Sequence, residues 1–133
     1  MNVGFMLIKI AVVYLLVGLV VGLAMGISGN ITLMSVHSHI LLLGWGTMAA
    51  AGIVYMLMPA CNRSRLAKWH FWGQNLGLPV MMGSLALEHY GFGAAAEKAI
   101  GVSSTLVLVS LVLFAINVVK NGAPQASRTH ESG

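Results

Sequence analysis

The run from Phe5 to Ile27 contains a single charged side chain, Lys9, and nothing else in the sequence restricts the fold as strongly. At about 1.5 Å per residue, a helix over this run reaches across the ~30 Å hydrocarbon core of a bilayer. Three more apolar runs follow, at about 36–58, 69–90 and 100–119, separated by polar or Gly-rich connections. Only 8% of the 133 residues are charged, where a soluble domain carries about 25%, so the chain cannot clothe a soluble surface. The expected fold is all-α: a four-helix transmembrane bundle of up-down topology, formed by residues 1–120 and expected to oligomerise. Residues 121–133 read as a disordered polar tail. A cleaved secretory signal is the competing reading of residues 1–26, with Ala24-Met25-Gly26 resembling a cleavage site. The length of the run, and the position of Lys9 behind an apolar start, favour a span.

Charge sets the expected orientation. The formal net charge is +4, but the basic residues are scattered rather than clustered, which argues against a nucleic-acid partner. Arg63, Arg65 and Lys68 lie between the second and third runs, and Lys120 and Arg128 follow the fourth. With four spans these lie on the side of the N-terminus and Lys9, while the other side holds an uncharged connection and the Glu97-Lys98 pair. The positive-inside tendency then predicts a multi-pass protein of the inner (cell) membrane with both termini cytoplasmic. Cys61 is the sole cysteine, so no intrachain disulfide is available.

Small and polar residues recur at helical spacing. Gly18, Gly22 and Gly26 form a stripe where another backbone can approach closely. Gly44, Met48, Gly52 and Tyr55 share a face, and Ser103, Ser110 and Asn117 repeat at seven-residue steps. In the third run His70, Gln74, Gly77, Met81, Ser84 and Glu88 make a polar and small stripe, the expected inward face of the bundle or a groove for a planar ligand.

Ionisable groups inside spans are costly unless paired or ligating, which singles out His37, His39, His70 and His89, with Glu88 beside the last. The topology gathers His37, His39, Glu88 and His89 toward the outer side. His70 sits at the inner end of its helix, on the order of 28 Å from His89. His37 and His39 differ by about 200° around a helix, so they cannot readily chelate one ion together, but each can ligate on its own side. The candidate metal ligands are His39, His37 and His89, with His70 added as a cofactor contact; no residue reads as catalytic. Haem suits this pattern better than zinc, for which no tight ligand cluster exists, or copper, for which Met34 and Met81 have no decisive spacing. The absence of a Cys-x-x-Cys-His signature removes covalent attachment, leaving haem b. The bland alternative is that each histidine is an interfacial residue with one structural hydrogen bond.

Three segments carry a resemblance across about 36–93. His37-Ser38-His39 with Gly44, Ala51-Gly52-Ile53-Val54-Tyr55 and Pro59 resembles the two-histidine helix in the catalytic subunit I of haem-copper oxygen and nitric oxide reductases. Trp69-His70-Phe71-Trp72 with Gly77 resembles the opening of the next helix in that family, and Leu87-Glu88-His89-Tyr90-Gly91 its end. The chain also resembles the short stand-alone membrane proteins described as oxidase subunit I-like. The resemblance implies a high-spin haem ligand at His37 and a low-spin haem ligand at His39; it assigns no iron-ligand role to His70 or His89. The family subunit has about twelve helices, and the segments that supply its copper triad and its second low-spin histidine are missing here. The chain is therefore not expected to be a complete enzyme alone.

The expected function is a b-type haem-binding membrane protein serving electron transfer or haem or gas sensing. It would work as a homo-oligomer in the lipid bilayer with a cytochrome or quinol as redox partner, and His89 is the expected partner of His39. The alternatives are a cofactor-free structural or assembly membrane protein, or a channel or transport oligomer.

Overall fold

Asn2 starts the first helix: its side-chain oxygen accepts the Phe5 amide at 3.1 Å and so satisfies one of the four free N–H groups of the first turn. Helix α1 (Val3–Ser28) then runs until Gly29, whose φ of 66° is the left-handed cap that ends it. The structure, a computed structural model, describes residues 1–123. The expected tail lies outside the described residues from position 124 onward.

Helix α2 (Met34–Leu57) returns along α1. Its middle, Ile40–Thr47, is π-helical, with the Thr47 hydroxyl donating to the Leu42 carbonyl five residues back at 2.8 Å. Pro59 opens a short helix α3 (Pro59–Arg63), a position where its missing N–H costs nothing. Ser64 caps helix α4 (Arg65–Glu88) by accepting the Ala67 amide at 3.1 Å, and helix α5 (Gly93–Asn121) completes the described chain. Two expected boundaries move. The third apolar run begins at Arg65 rather than 69, and the fourth begins at Gly93 rather than 100.

The fold is thus all-α with five helices, and among the described residues three of them, α1, α2 and α5, are long and apolar enough to cross a membrane. This corrects the expected four-helix transmembrane bundle. At 24 residues α4 has the length, but it carries Arg65, Lys68, His70, Gln74, Asn75 and Glu88 and lacks the apolarity. Its polar residues serve packing inside the chain: His70 and Gln74 are fully buried and Ser84 nearly so.

Two antiparallel helix pairs make up the core. On α1 and α2, a Cβ at Gly52 would stand 2.8 Å from the Gly4 carbonyl oxygen, and one at Gly44 would stand 2.5 Å from Cγ of Tyr14. On α4 and α5, a Cβ at Gly73 would stand 2.8 Å from Cβ of Ser110. Backbones this close give van der Waals contact where lipid supplies no hydrophobic drive between helices. Leu7, Met48, Tyr55 and Leu78 are buried completely between the pairs and within them. The outward faces are apolar as well; Val13, Leu16, Val20, Val102 and Leu108 are all exposed.

Asn2, α3 and the end of α5 meet at one end of the molecule, through Asn62 with Asn2 and Cys61 with Asn117. At the other end, Met25 of α1 and Asn30 and Leu33 of the α1–α2 connection share a cleft with Tyr90.

Candidate functional site

The histidines chosen from the sequence are separated rather than gathered. His37 is half-buried against α1. Its Nδ1 lies 2.9 Å from the Gly18 carbonyl oxygen, and its ring occupies the space that a Cβ on Gly22 would take, 2.6 Å from Cε1. The glycine stripe of α1 is, at this point, the seat of an imidazole. His39 turns away from that seat, with Nδ1 2.8 Å from the carbonyl of Ser35 in its own helix. A carbonyl can only accept, so in both rings Nδ1 is the donor. His89 is the C-cap of α4 and is exposed, as is Glu88.

His70 is the buried one. Its Nδ1 is 3.1 Å from the hydroxyl of Tyr55, and its ring packs in a triangle with those of Tyr55 and Phe114, at centroid distances of 5.7 and 5.2 Å, the latter two rings lying 5.4 Å from each other. Nε2 has no hydrogen-bond partner among the described residues. Tyr55 comes from α2, His70 from α4 and Phe114 from α5, so this aromatic group joins both helix pairs.

A second set of polar contacts lies at the same end, around Asn117 of α5. Its amide nitrogen donates to the Cys61 carbonyl at 3.0 Å, while its side-chain oxygen accepts the hydroxyl of Ser64 at 2.9 Å and the amide of Asn121 at 2.8 Å. Cys61 Sγ donates in return to the Asn117 carbonyl at 3.6 Å. Midway along α4, the Gln74 side-chain oxygen accepts the Ser110 hydroxyl at 3.0 Å, and its nitrogen donates to the Leu43 carbonyl at 3.3 Å. Gln74 therefore links α5 to α2. The seven-residue seam is real at Ser110 and Asn117, but Ser103 bonds back to Ala99 of its own helix at 2.6 Å. Sequence reasoning missed Tyr55 as a hydrogen-bonding group and Cys61, Asn62 and Ser64 as a junction. The signal for the last was the dense polar run after Pro59, which read as a plain connection.

These contacts overturn the expected haem-binding function. Among the described residues no three His, Cys, Asp or Glu side chains gather into a group able to hold a metal ion. A bis-histidine haem needs two imidazoles facing one another across a planar cavity. His37 faces a helix, His39 points away from His37, His70 is enclosed by aromatic rings and His89 caps a helix end. The donor set does not fit the group. What the arrangement can do chemically is hold helices together, because most of the buried polar side chains are engaged in bonds within or between them. No family model, curated protein or solved structure matches the chain.

Proposed function

We propose that the chain is a structural or assembly protein of a membrane, working without a bound cofactor. The observation that carries this reading is where its polar groups go. His37, Gln74, Ser110 and Asn117 close bonds between the chain's own helices, and the outward surface is left to apolar side chains. Such a surface suits lipid or the apolar helices of another membrane protein. Self-association belongs to the same proposal: at Gly26, Gly83 and Gly101 nothing lies within 4 Å of where a side chain would begin, leaving open approaches for another helix.

We place the chain in the inner membrane with both termini cytoplasmic. Arg63, Arg65 and Lys68 flank the junction that binds Asn2 and Asn117, and Lys120 is three residues beyond Asn117. The basic side chains thus collect at the end that holds the N-terminus and the end of α5, in keeping with the positive-inside tendency.

Purification of the full chain in mild detergent, from cells supplied with a haem precursor, tests the function. The expected product is colourless, migrates above its monomer mass on a native gel, and loses thermal stability on His37→Ala. A Soret band that disappears in His39→Ala overturns the proposal, as does ion flux through liposomes containing the purified protein.

A further inference from the structure

On the exposed side of the seam where α4 lies on α5, adjoining clefts form a groove. Gly73 and Gly77 lie along it, and a Cβ on Gly77 would stand 2.9 Å from Cγ2 of Val107, so the two helices nearly touch at its floor. Two clefts of about 240 and 440 Å³ open along this line and share Leu76 and Leu106 as walls. The larger is lined by aliphatic side chains together with Ser103 and, at its far end, Lys98. Along the groove, from Trp69 to Val80, α4 rises about 17 Å beside α5, which is itself long and apolar enough to cross a membrane.

The near end of the groove has a different chemistry. Trp69 and Trp72, 67% and 54% exposed, border both the groove and a third cleft of about 300 Å³, which is completed by Arg65 and Lys68. Trp72 is braced edge-on against Phe71, with ring centroids 5.4 Å apart. Indoles of this kind settle at the headgroup level of a membrane, with the ring body in hydrocarbon and the N–H toward water. Charge selects what lies between them. Of the described carboxylates, Glu88 is at the opposite end of α4 and Glu97 is near the start of α5, also at that far end. Among the described residues the two cations thus face no acid on their own side, and Arg63 and Lys120 add to the positive charge there.

We infer that this groove binds one anionic phospholipid, its phosphate held between Arg65 and Lys68, its glycerol region between Trp69 and Trp72, and an acyl chain lying along Leu76 and Leu106. A zwitterionic lipid fills the apolar part equally well but brings a cationic headgroup toward two cations. An anionic one supplies the complementary charge. The inference builds on the membrane reading above, and its test separates the two.

Tryptophan quenching by brominated lipid provides that test. The full chain is reconstituted with Trp45→Phe, so that emission comes from Trp69 and Trp72, in phosphatidylcholine vesicles. A minor fraction of brominated phosphatidylglycerol or brominated phosphatidylcholine is then added. At about 1 kcal/mol per basic residue near an anionic surface, the phosphatidylglycerol preference is expected to be roughly 10- to 30-fold. The double substitution R65Q and K68Q should bring the two lipids to equal quenching. Leu76→Phe, which narrows the groove and leaves both cations in place, should weaken phosphatidylglycerol quenching, and it keeps the test usable if the charge variant fails to insert. Equal quenching by both lipids in the unsubstituted background overturns the site while leaving the membrane reading intact, and a preference that survives R65Q and K68Q overturns it too. No quenching by either lipid also overturns it. In that case disulfide crosslinking between copies carrying Leu76→Cys tells a groove covered by a second copy from helices that lie outside the bilayer.

Discussion

Gly22 is fixed by what rests on it. With the His37 ring 2.6 Å from the place of its Cβ, Gly22→Ala must push the imidazole off α1 and lengthen its bond to the Gly18 carbonyl. The expected loss is about 1–3 kcal/mol, the usual cost of overpacking, measured as a lower unfolding midpoint in detergent. In a His37→Ala background the clash is gone, and alanine's better helix propensity, worth about 1 kcal/mol, should make the same change neutral or stabilising. Such a reversal of sign separates a seat for the ring from a site for any other ligand. Cys61 makes a second prediction at this scale. It is fully buried, and burial pushes its thiol above the ordinary value, so little nucleophilic thiolate forms at neutral pH. Maleimide should leave the folded protein unlabelled for hours and label it within minutes in denaturant, as read by intact mass; rapid labelling of the folded form would contradict the buried junction. The sequence marks His37 as exceptional because an imidazole in an apolar run needs a partner. It does not identify that partner, a carbonyl 19 residues earlier, because the contact depends on how two helices are rotated against one another.

Helix faces were more legible than helix details. Gly44, Met48, Gly52 and Tyr55 are all buried, and so are His70, Gln74, Gly77, Met81 and Ser84, because periodicity reports directly on the face turned inward; Glu88, the last member of that stripe, is exposed at the helix end. The π-helical stretch at Ile40–Thr47 left no such mark. It depends on Gly44 admitting the Tyr14 ring and on Thr47 reaching back to Leu42, and neither is a local propensity. The α3 junction was hidden for a related reason: five residues are too few to show a period. Yet this short element ties down three others. Asn62 accepts the Gly4 amide at 2.9 Å and donates to Asn2 at 3.0 Å, while Ser64 caps α4 and donates to Asn117 with one hydroxyl. Asn117→Leu removes the side-chain donor to the Cys61 carbonyl, which keeps the Ser64 amide, and the acceptor of the half-buried Ser64 hydroxyl, at an expected cost of about 1–2 kcal/mol. Its signature should also be local. Trypsin cleavage after Arg63 or Arg65 should accelerate well below the global unfolding midpoint, whereas Ser103→Ala, which removes only bonds within α5, should leave that cleavage unchanged.

At the scale of the whole molecule, the junction fixes which ends belong together, and this bears on orientation independently of charge counting. Asn2, α3 and Asn117 are bonded to one another, so the N-terminus and the end of α5 must lie on one side of any membrane that α1 and α2 cross. The α1–α2 connection, with exposed Asn30, must lie on the other. On the orientation proposed above the side of Asn2 and Asn117 is cytoplasmic, because turning the molecule over would put Arg63, Arg65, Lys68 and Lys120 on the far side, against the positive-inside tendency. In a Cys61→Ser background, which keeps the hydrogen-bond donor, the single substitutions Asn30→Cys and Arg63→Cys report on the two ends. A membrane-impermeant maleimide added to intact cells should modify the Asn30→Cys protein and spare the Arg63→Cys protein until the membrane is permeabilised. The opposite pattern would reverse the orientation while keeping the fold. Equal labelling of both from outside would contradict the two crossings themselves, because the interleaved glycines of α1 and α2 force their connection to the far end from Asn2.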